Sequence, residues 1–518
     1  MDADKYIKEL VLRIDELSDL LDLLIDQTSP SKSRQFAEWA YFRMASVNVL
    51  ISESGTGGAV AATISRGLLE EAAYWDWAIS CGIGVRHLDQ WAGVEISNLI
   101  RVAEAVDDNT WLSWLLPADY QIQTEEGRAK PRNAGDAVDR LGLGLEPSVL
   151  ELLRFQGLFA AYQLLSVFSH GNLAAAMILH DGKDGNLPPV AAVIAHVAAV
   201  GASAVILEHC DASPIDRDKV LTAVGSVTNS ASRIHQLPAK QLTSEKAPAK
   251  ARNVKAVTYK GLDITYPEIP EALLAAAKRF LSEALNLSLE VAKSNLFDDY
   301  GAILAFTSFQ YALTQISILS GVIEETLGSS LLPFAARTLY EDGARWAWLR
   351  AQLAKDPMSH PFSSLVSDCS NLIKKVVSLL ETEEVPSDVI QSLLGGSLDF
   401  PKGDNPKRIL PKIDVLVSAA YMNPSNVDSA KPTYAFLSQF VHSTPISVLQ
   451  LRPGRWTSLN APSFAISVEA ACRGFRTVAQ VTLTMSLEMT AELRSRLQLL
   501  DNAVIGVVES AMDSHFLG

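Results

Sequence analysis

The chain has 518 residues, 48% of them hydrophobic and 20% charged, which is enough apolar material for roughly two to four cored domains and too much for disorder. Its formal net charge of -15 excludes a general nucleic-acid coat or an anionic-membrane binder, because both need a basic surface; only a local basic groove stays open. Four cysteines, Cys81, Cys210, Cys369 and Cys472, stand far apart with no C-x-x-C pair, so neither a disulfide framework nor a zinc ribbon is indicated and a reducing, cytoplasmic setting is expected.

The first element, Tyr6 to Ile25, is acidic with helical periodicity where a signal peptide would carry a basic start and an apolar centre. The Gly-rich ESGTGG around residue 55 lacks the Lys-Ser/Thr of a P-loop and reads as an interhelical loop. Val190 to Leu207 is nearly long enough to span a membrane but is mostly alanine and valine with His196 inside it, so a buried helix is expected and no membrane partner. His209 and Cys210 are adjacent, which suits neither zinc spacing nor a thiol-imidazole pair, so both read as core. Leu237 to Pro267 mixes Pro, Ala and Lys and reads as a linker. Beyond it lie two more helical segments, Glu271 to Ala292 and Ser467 to Leu500; Phe464 to Thr484 is the counterpart of the alanine-valine helix. RPGRW, Arg452 to Trp456, reads as an exposed basic loop.

Comparing the two sides of the linker reveals an internal repeat. Arg66, Glu70, Glu71, Trp75 and Trp77 in RGLLEEAAYWDW recur at the same spacing as Arg337, Glu341, Asp342, Trp346 and Trp348 in RTLYEDGARWAW. Further on, Tyr162, Leu165, Ser166, Phe168 and His170 match Tyr434, Leu437, Ser438, Phe440 and His442. A weaker match sets Pro131, Arg132 and Asp139 beside Pro406, Lys407 and Asp414. The expectation is an all-α protein of two tandem, internally duplicated helical-bundle domains, residues 1–236 and 268–518, with 237–267 between them. Fused copies often replace a homodimer, so matching motifs could meet at a central interface, and a homo-oligomer is not excluded.

Helical spacing puts Arg66, Glu70, Ala73 and Trp77 on one stripe, and Arg337, Glu341, Ala344 and Trp348 on its equivalent. The same spacing aligns Tyr162, Ser166 and His170, and Tyr434, Ser438 and His442, and such polar rows need buried partners. The expected arrangement faces the Arg-Glu helix with the Tyr-Ser-His helix inside each domain. One outcome is a satisfied polar network that fixes helix register. The other is a pocket in which Glu70 with His170, or Glu341 with His442, are candidate catalytic residues, and Arg66, Tyr162, Ser166, Trp77, Arg337, Tyr434, Ser438 and Trp348 candidate ligand-binding ones. Di-iron bundles use a Glu-x-x-His pair that is missing here, so no metal site is assigned; no P-loop, dinucleotide fingerprint or nucleophile elbow points to a cofactor.

On YQLLSVFSH and YAFLSQFVH, preceded by RGLLEE and RTLYED, both halves of the chain resemble a group of uncharacterised bacterial helical proteins bearing Arg and Glu early and Tyr-x-x-Leu-Ser-x-x-x-His later. More distantly the layout is similar to the HEPN superfamily, helical bundles that serve bacterial conflict systems as RNases or as nucleotide- and partner-binding modules. The RNase members carry arginine followed by four to six residues and then histidine, a spacing absent from this chain. The resemblance therefore implies a helical protein that binds a partner or small ligand in defence or stress regulation. The alternative is an acid/base enzyme, hydrolase-like or RNase-like, with a Glu/His site in an apolar pocket.

Overall fold

The computed structural model describes residues 3–52, 58–80, 95, 97–99, 101, 134–144, 158–170, 173–179, 187–235, 269–297, 300–324, 327–355, 361–382, 384–394, 410–421, 430–442, 447, 451–452 and 455–516. The protein is all-α. In the first half the helices are α1 (Ala3–Gln27), α2 (Lys32–Ser52), α3 (Gly58–Ser80), α4 (Ala134–Gly144), α5 (Leu158–Ser169), α6 (Leu173–Leu179), α7 (Leu187–His209) and α8 (Pro214–His235). The second half contains α9 (Glu271–Val291), α10 (Tyr300–Ile323), α11 (Leu332–Lys355), α12 (Pro361–Thr382), α13 (Ser387–Leu394), α14 (Ile413–Tyr421), α15 (Ala430–Val441), α16 (Ala461–Ser486) and α17 (Ala491–Phe516).

Local sequence explains the edges of each bundle. In α1 the buried positions Leu10, Ile14, Leu17, Leu21 and Leu24 fall alternately four and three residues apart; in α9 Leu273, Ala277, Phe280, Ala284, Leu287 and Val291 do the same. Each stripe lies on the last helix of its own half, α1 on α8 and α9 on α17. Each fully buried Leu or Phe there contributes about 1.5–3 kcal/mol of transfer free energy before ordering costs. Helix α16 starts at Asn460, whose side chain accepts the Ser463 N–H at 2.9 Å, with Pro462 in the first turn.

At the centre of each half two long helices cross: α7 packs on α3 and α2, and α16 packs on α11 and α10. A glycine permits the closest approach. A Cβ on Gly201 would lie 2.8 Å from the Leu68 carbonyl carbon, and one on Gly474 would lie 2.5 Å from that of Leu339. A glycine of α7 or α16 thus sits at each crossing, and in the second half Gly343 of α11 faces it, a Cβ there lying 2.9 Å from the Gly474 carbonyl oxygen. As the sequence suggested, α7 is a core helix, with 94% of its apolar window buried; α10 is also long and apolar enough to cross a membrane, with 61% buried. His209 and Cys210 are buried as expected, the imidazole edge-on to Trp75 at 4.2 Å and stacked on Phe36.

Two expectations change. The periodic segment Ser467 to Leu500 is not continuous: α16 ends at Ser486, whose carbonyl accepts the Phe297 N–H, and α17 begins at Ala491. Arg452, Arg455 and Trp456 of RPGRW belong to two short antiparallel strands, β1 (Leu451–Arg452) and β2 (Arg455–Leu459), anchored where the buried Leu459 donates its N–H to Ser329 Oγ at 2.9 Å. Pro453 and Gly454, Cys81, the linker 237–267, most of the ESGTGG loop, and Pro131, Arg132, Pro406 and Lys407 lie outside the described residues.

Candidate functional site

Helices α3 and α11 carry the Arg-Glu motifs through the core, and α5 and α15 lie against them. In the first half Arg66 Nε donates to Ser166 Oγ at 2.9 Å and Nη2 to the Tyr162 hydroxyl at 2.8 Å, with the guanidinium carbon 4.8 Å from the Tyr162 ring centroid. In the second half Arg337 Nε donates to Ser438 Oγ at 3.3 Å and Nη2 to the Tyr434 hydroxyl at 3.0 Å, again over the ring. Each serine returns its own proton to the carbonyl four residues back, to Tyr162 and Tyr434. Within each half, the expected facing of the Arg-Glu and Tyr-Ser helices is present.

The carboxylates lie one turn on. Arg66 Nη1 is 3.2 Å from Glu70 Oε2, and Arg337 Nη1 is 3.3 Å from Glu341 Oε2. Both carboxylates are almost completely buried, so an uncompensated charge would be prohibitive. Burial pushes the Glu70 carboxyl up, but Arg66 and His442 outweigh it and hold it at about 2. Glu341 is likewise driven up by burial and pulled further down by Arg337 and Arg345.

The histidines exchange partners between the halves. His442 Nδ1 lies 3.2 Å from Glu70 Oε1, and His170 Nδ1 lies 3.6 Å from Glu341 Oε1. The pairs expected from sequence, Glu70 with His170 and Glu341 with His442, are thus replaced by crossed pairs. His170 and His442 sit just past the C-terminal ends of α5 and α15, His442 still donating its N–H to the Ser438 carbonyl, where the two halves meet. Arg337 Nη1 donates to the Ser169 carbonyl, Nη2 lies 3.4 Å from His170 Nδ1, and Arg345 Nη1 donates to the His170 carbonyl at 2.8 Å. Helix α6, immediately beyond, packs on α10 and α12 of the second half and fixes this crossing. The result is one centre at the junction, in which both imidazoles feel both Arg66 and Arg337.

Each imidazole is densely surrounded by protein yet keeps solvent access, 42% for the His170 side chain and 35% for His442, while Glu341 and Glu70 behind them keep 1% and 2%. Both rings can thus be reached from solvent, while the carboxylates beside them cannot. Burial, with Arg337 and Arg66 adding to it and Glu341 resisting, lowers His170 to about 4; burial also lowers His442, with Glu70 opposing. Both rings are therefore neutral near pH 7.

Sequence reasoning missed several members. Tyr74 donates its hydroxyl to Glu70 Oε1 at 2.9 Å, and at the equivalent motif position Arg345 Nη2 contacts Glu341 Oε1 at 2.8 Å. Their signal was the i,i+4 spacing from each glutamate. The next acidic residue, Glu71 or Asp342, is buried on the far side. Glu71 is hydrogen-bonded to the fully buried Arg43 of α2, which lies over Trp39. Asp342 lies near enough to the buried Tyr311 of α10 to raise its phenol and is itself hydrogen-bonded to Trp346, and burial raises its carboxyl to about 7. Trp77 and Trp348 are half-buried two turns beyond the glutamates, and Asp139 and Asp414 are exposed. Among the described residues no cluster of three His, Cys, Asp or Glu is disposed to hold a metal ion.

No family model, curated protein or solved structure matches the chain.

Proposed function

We propose that the junction between the halves is the working site, taking a small polar ligand against the exposed imidazoles and exchanging a proton with it through an imidazole backed by a buried glutamate. One observation carries this reading: each histidine is accessible while its carboxylate is sealed behind it. A carboxylate on Nδ1 fixes the ring and stabilises the imidazolium that forms when Nε2 takes a proton, the usual support for a general base. Two neutral imidazoles and two fixed guanidiniums suit hydrolytic chemistry at an ester or phosphodiester, where a proton must move and an oxyanion be neutralised.

In the same reading the chain is a fused pair of copies, each lending its histidine to the other. The recurring motifs and the recurring packing order, α3 with α7 and α5, α11 with α16 and α15, support that origin. The HEPN-like kinship belongs to this proposal, with the RNase spacing of arginine and histidine replaced by a crossed arrangement. A second reading, recognition of a ligand or partner without turnover, is favoured by Glu341, whose oxygens are already taken by Arg337 and Arg345.

The test compares wild type with His170→Gln and His442→Gln by thermal unfolding and by turnover of p-nitrophenyl acetate, bis(p-nitrophenyl) phosphate and a short single-stranded oligoribonucleotide. An enzyme should lose about 10²–10⁴ in rate in at least one variant while its Tm stays near that of wild type. Loss of stability in both variants with no effect on turnover of any probe makes the network architectural.

A further inference from the structure

We propose that the two imidazoles do unequal work: His442, oriented by Glu70, is the base that takes a proton from the bound ligand, and His170, held by Arg337, is not. This rests on the junction being the working site and adds which histidine acts. The nearest polar atoms to His442 Nδ1 are the Glu70 oxygens, Oε1 at 3.2 Å and Oε2 at 3.4 Å. A buried carboxylate paired with Arg66 can only accept, so Nδ1 carries the hydrogen and Nε2 keeps a lone pair. The ring keeps 35% of its surface accessible.

At His170 the geometry differs. Its Nδ1 lies 3.4 Å from Arg337 Nη2 and 3.6 Å from Glu341 Oε1. A guanidinium can only donate, so the nearer of these two partners favours a lone pair on Nδ1 and a hydrogen on Nε2, against the pull of Glu341 toward the opposite tautomer. Glu341 has closer claims on it: Arg345 at 2.8 Å and Arg337 at 3.3 Å, with the Tyr434 hydroxyl at 3.4 Å. The difference begins at one motif position, where the first half has neutral Tyr74 and the second has cationic Arg345. The charged and titratable groups facing the rings are Arg66, Glu70 and Tyr74 from α3, Tyr162 from α5, Arg337, Glu341 and Arg345 from α11, and Tyr434 from α15.

The proton step is self-contained. A ligand or water O–H transfers its proton to His442 Nε2, the electron pair stays on oxygen, and the imidazolium is balanced by Glu70. His442 should also be the better nucleophile, because the lone pair of His170 points inward at Arg337.

Diethyl pyrocarbonate, which acylates neutral imidazole, tests this on the full-length protein near pH 7 with each histidine followed by mass spectrometry. His442 should react on the order of tenfold faster than His170, although His170 is the more exposed, at 42% against 35%. Long-range ¹⁵N–¹H correlation of ¹⁵N-histidine protein should show hydrogen on Nδ1 of His442 and on Nε2 of His170. Equal rates, faster reaction at His170, or the same tautomer at both positions overturns the division of labour while leaving a junction site in place. Protection of both rings overturns the junction site itself. Glu70→Gln should slow acylation of His442; should that variant fail to fold, the tautomers of the wild type still decide.

Discussion

The acidic residue that follows Glu70 and Glu341 shows how two matching motifs can solve the same burial problem differently. Glu71 in α3 and Asp342 in α11 are both sealed, at 1% and 3% exposure. The first is paired with Arg43, itself fully buried, whereas the second lies near the phenol of Tyr311, and Arg345 only partly offsets its burial. Burial pushes both carboxyls up, but only Asp342 is carried to about 7. One half thus keeps a buried ion pair where the other keeps a carboxyl that holds its proton close to neutrality.

The largest expected effect breaks that comparison directly. Glu71→Gln strands the Arg43 cation and should cost about 3–5 kcal/mol, read by urea unfolding at pH 8. Asp342→Asn should do the opposite at the same pH, stabilising by about 1–3 kcal/mol because the folded chain no longer confines a carboxylate. The sign follows from the folded value lying above 3.8. Protons bound only by the folded state support it on the acid side, and that support is lost as pH rises toward 7. Equal destabilisation by both amides would mean that Asp342 has an ionic partner after all. Replacing the whole pair, Arg43→Met with Glu71→Leu, should cost far less than either half of it alone.

Next come the crossing glycines. Gly201→Ala and Gly474→Ala should each cost about 1–3 kcal/mol, because the added methyl meets main chain rather than a movable side chain. Gly474→Ala should be the worse, its contact being 2.5 Å against 2.8 Å. Thermal unfolding checks the order, and equal, negligible losses would mean that the long helices can separate at no cost.

A smaller effect links pH to the junction. His170, lowered from 6.5 to about 4, contributes stability that is present above 6.5 and lost as pH falls through that interval, because the unfolded chain takes up the proton first. Asp342 slopes the other way over much of the same range, so the two partly cancel in the wild type. In Asp342→Asn the histidine slope should emerge, and adding His170→Gln should flatten it. A pH profile unchanged by either substitution would place the titrating groups elsewhere.

How far these features were legible in sequence depends on whether a helix alone defines them. The all-α architecture, the stripes of α1 and α9, the core character of α7 and the Arg-Tyr-Ser contacts follow from periodicity and spacing. The crossed Glu–His pairs did not, because they depend on how the two halves pack against each other, which a side-chain period within one helix does not encode. Arg43 and Tyr311 were missed for a similar reason: they come from neighbouring helices whose rotation about α3 and α11 is decided by packing.

The finest test of the comparison concerns Arg345, whose motif position holds Tyr74 in the first half. Arg345→Tyr removes one of the two guanidiniums on Glu341 and the donor to the His170 carbonyl, at 2.8 Å each. Among the described residues Arg337 then remains as the carboxylate's one close guanidinium, as Arg66 is for Glu70. The Glu341 oxygen that Arg345 held becomes available to His170, so that ring should acquire the Nδ1–H form and its acylation rate should rise toward that of His442. The stability change should stay within about 1–3 kcal/mol, the cost of charged hydrogen bonds at a partly exposed group. A His170 tautomer and rate unaffected by Arg345→Tyr would place the origin of the asymmetry in Arg337 and in the longer reach from His170 to Glu341, rather than in the residue that distinguishes the two motifs.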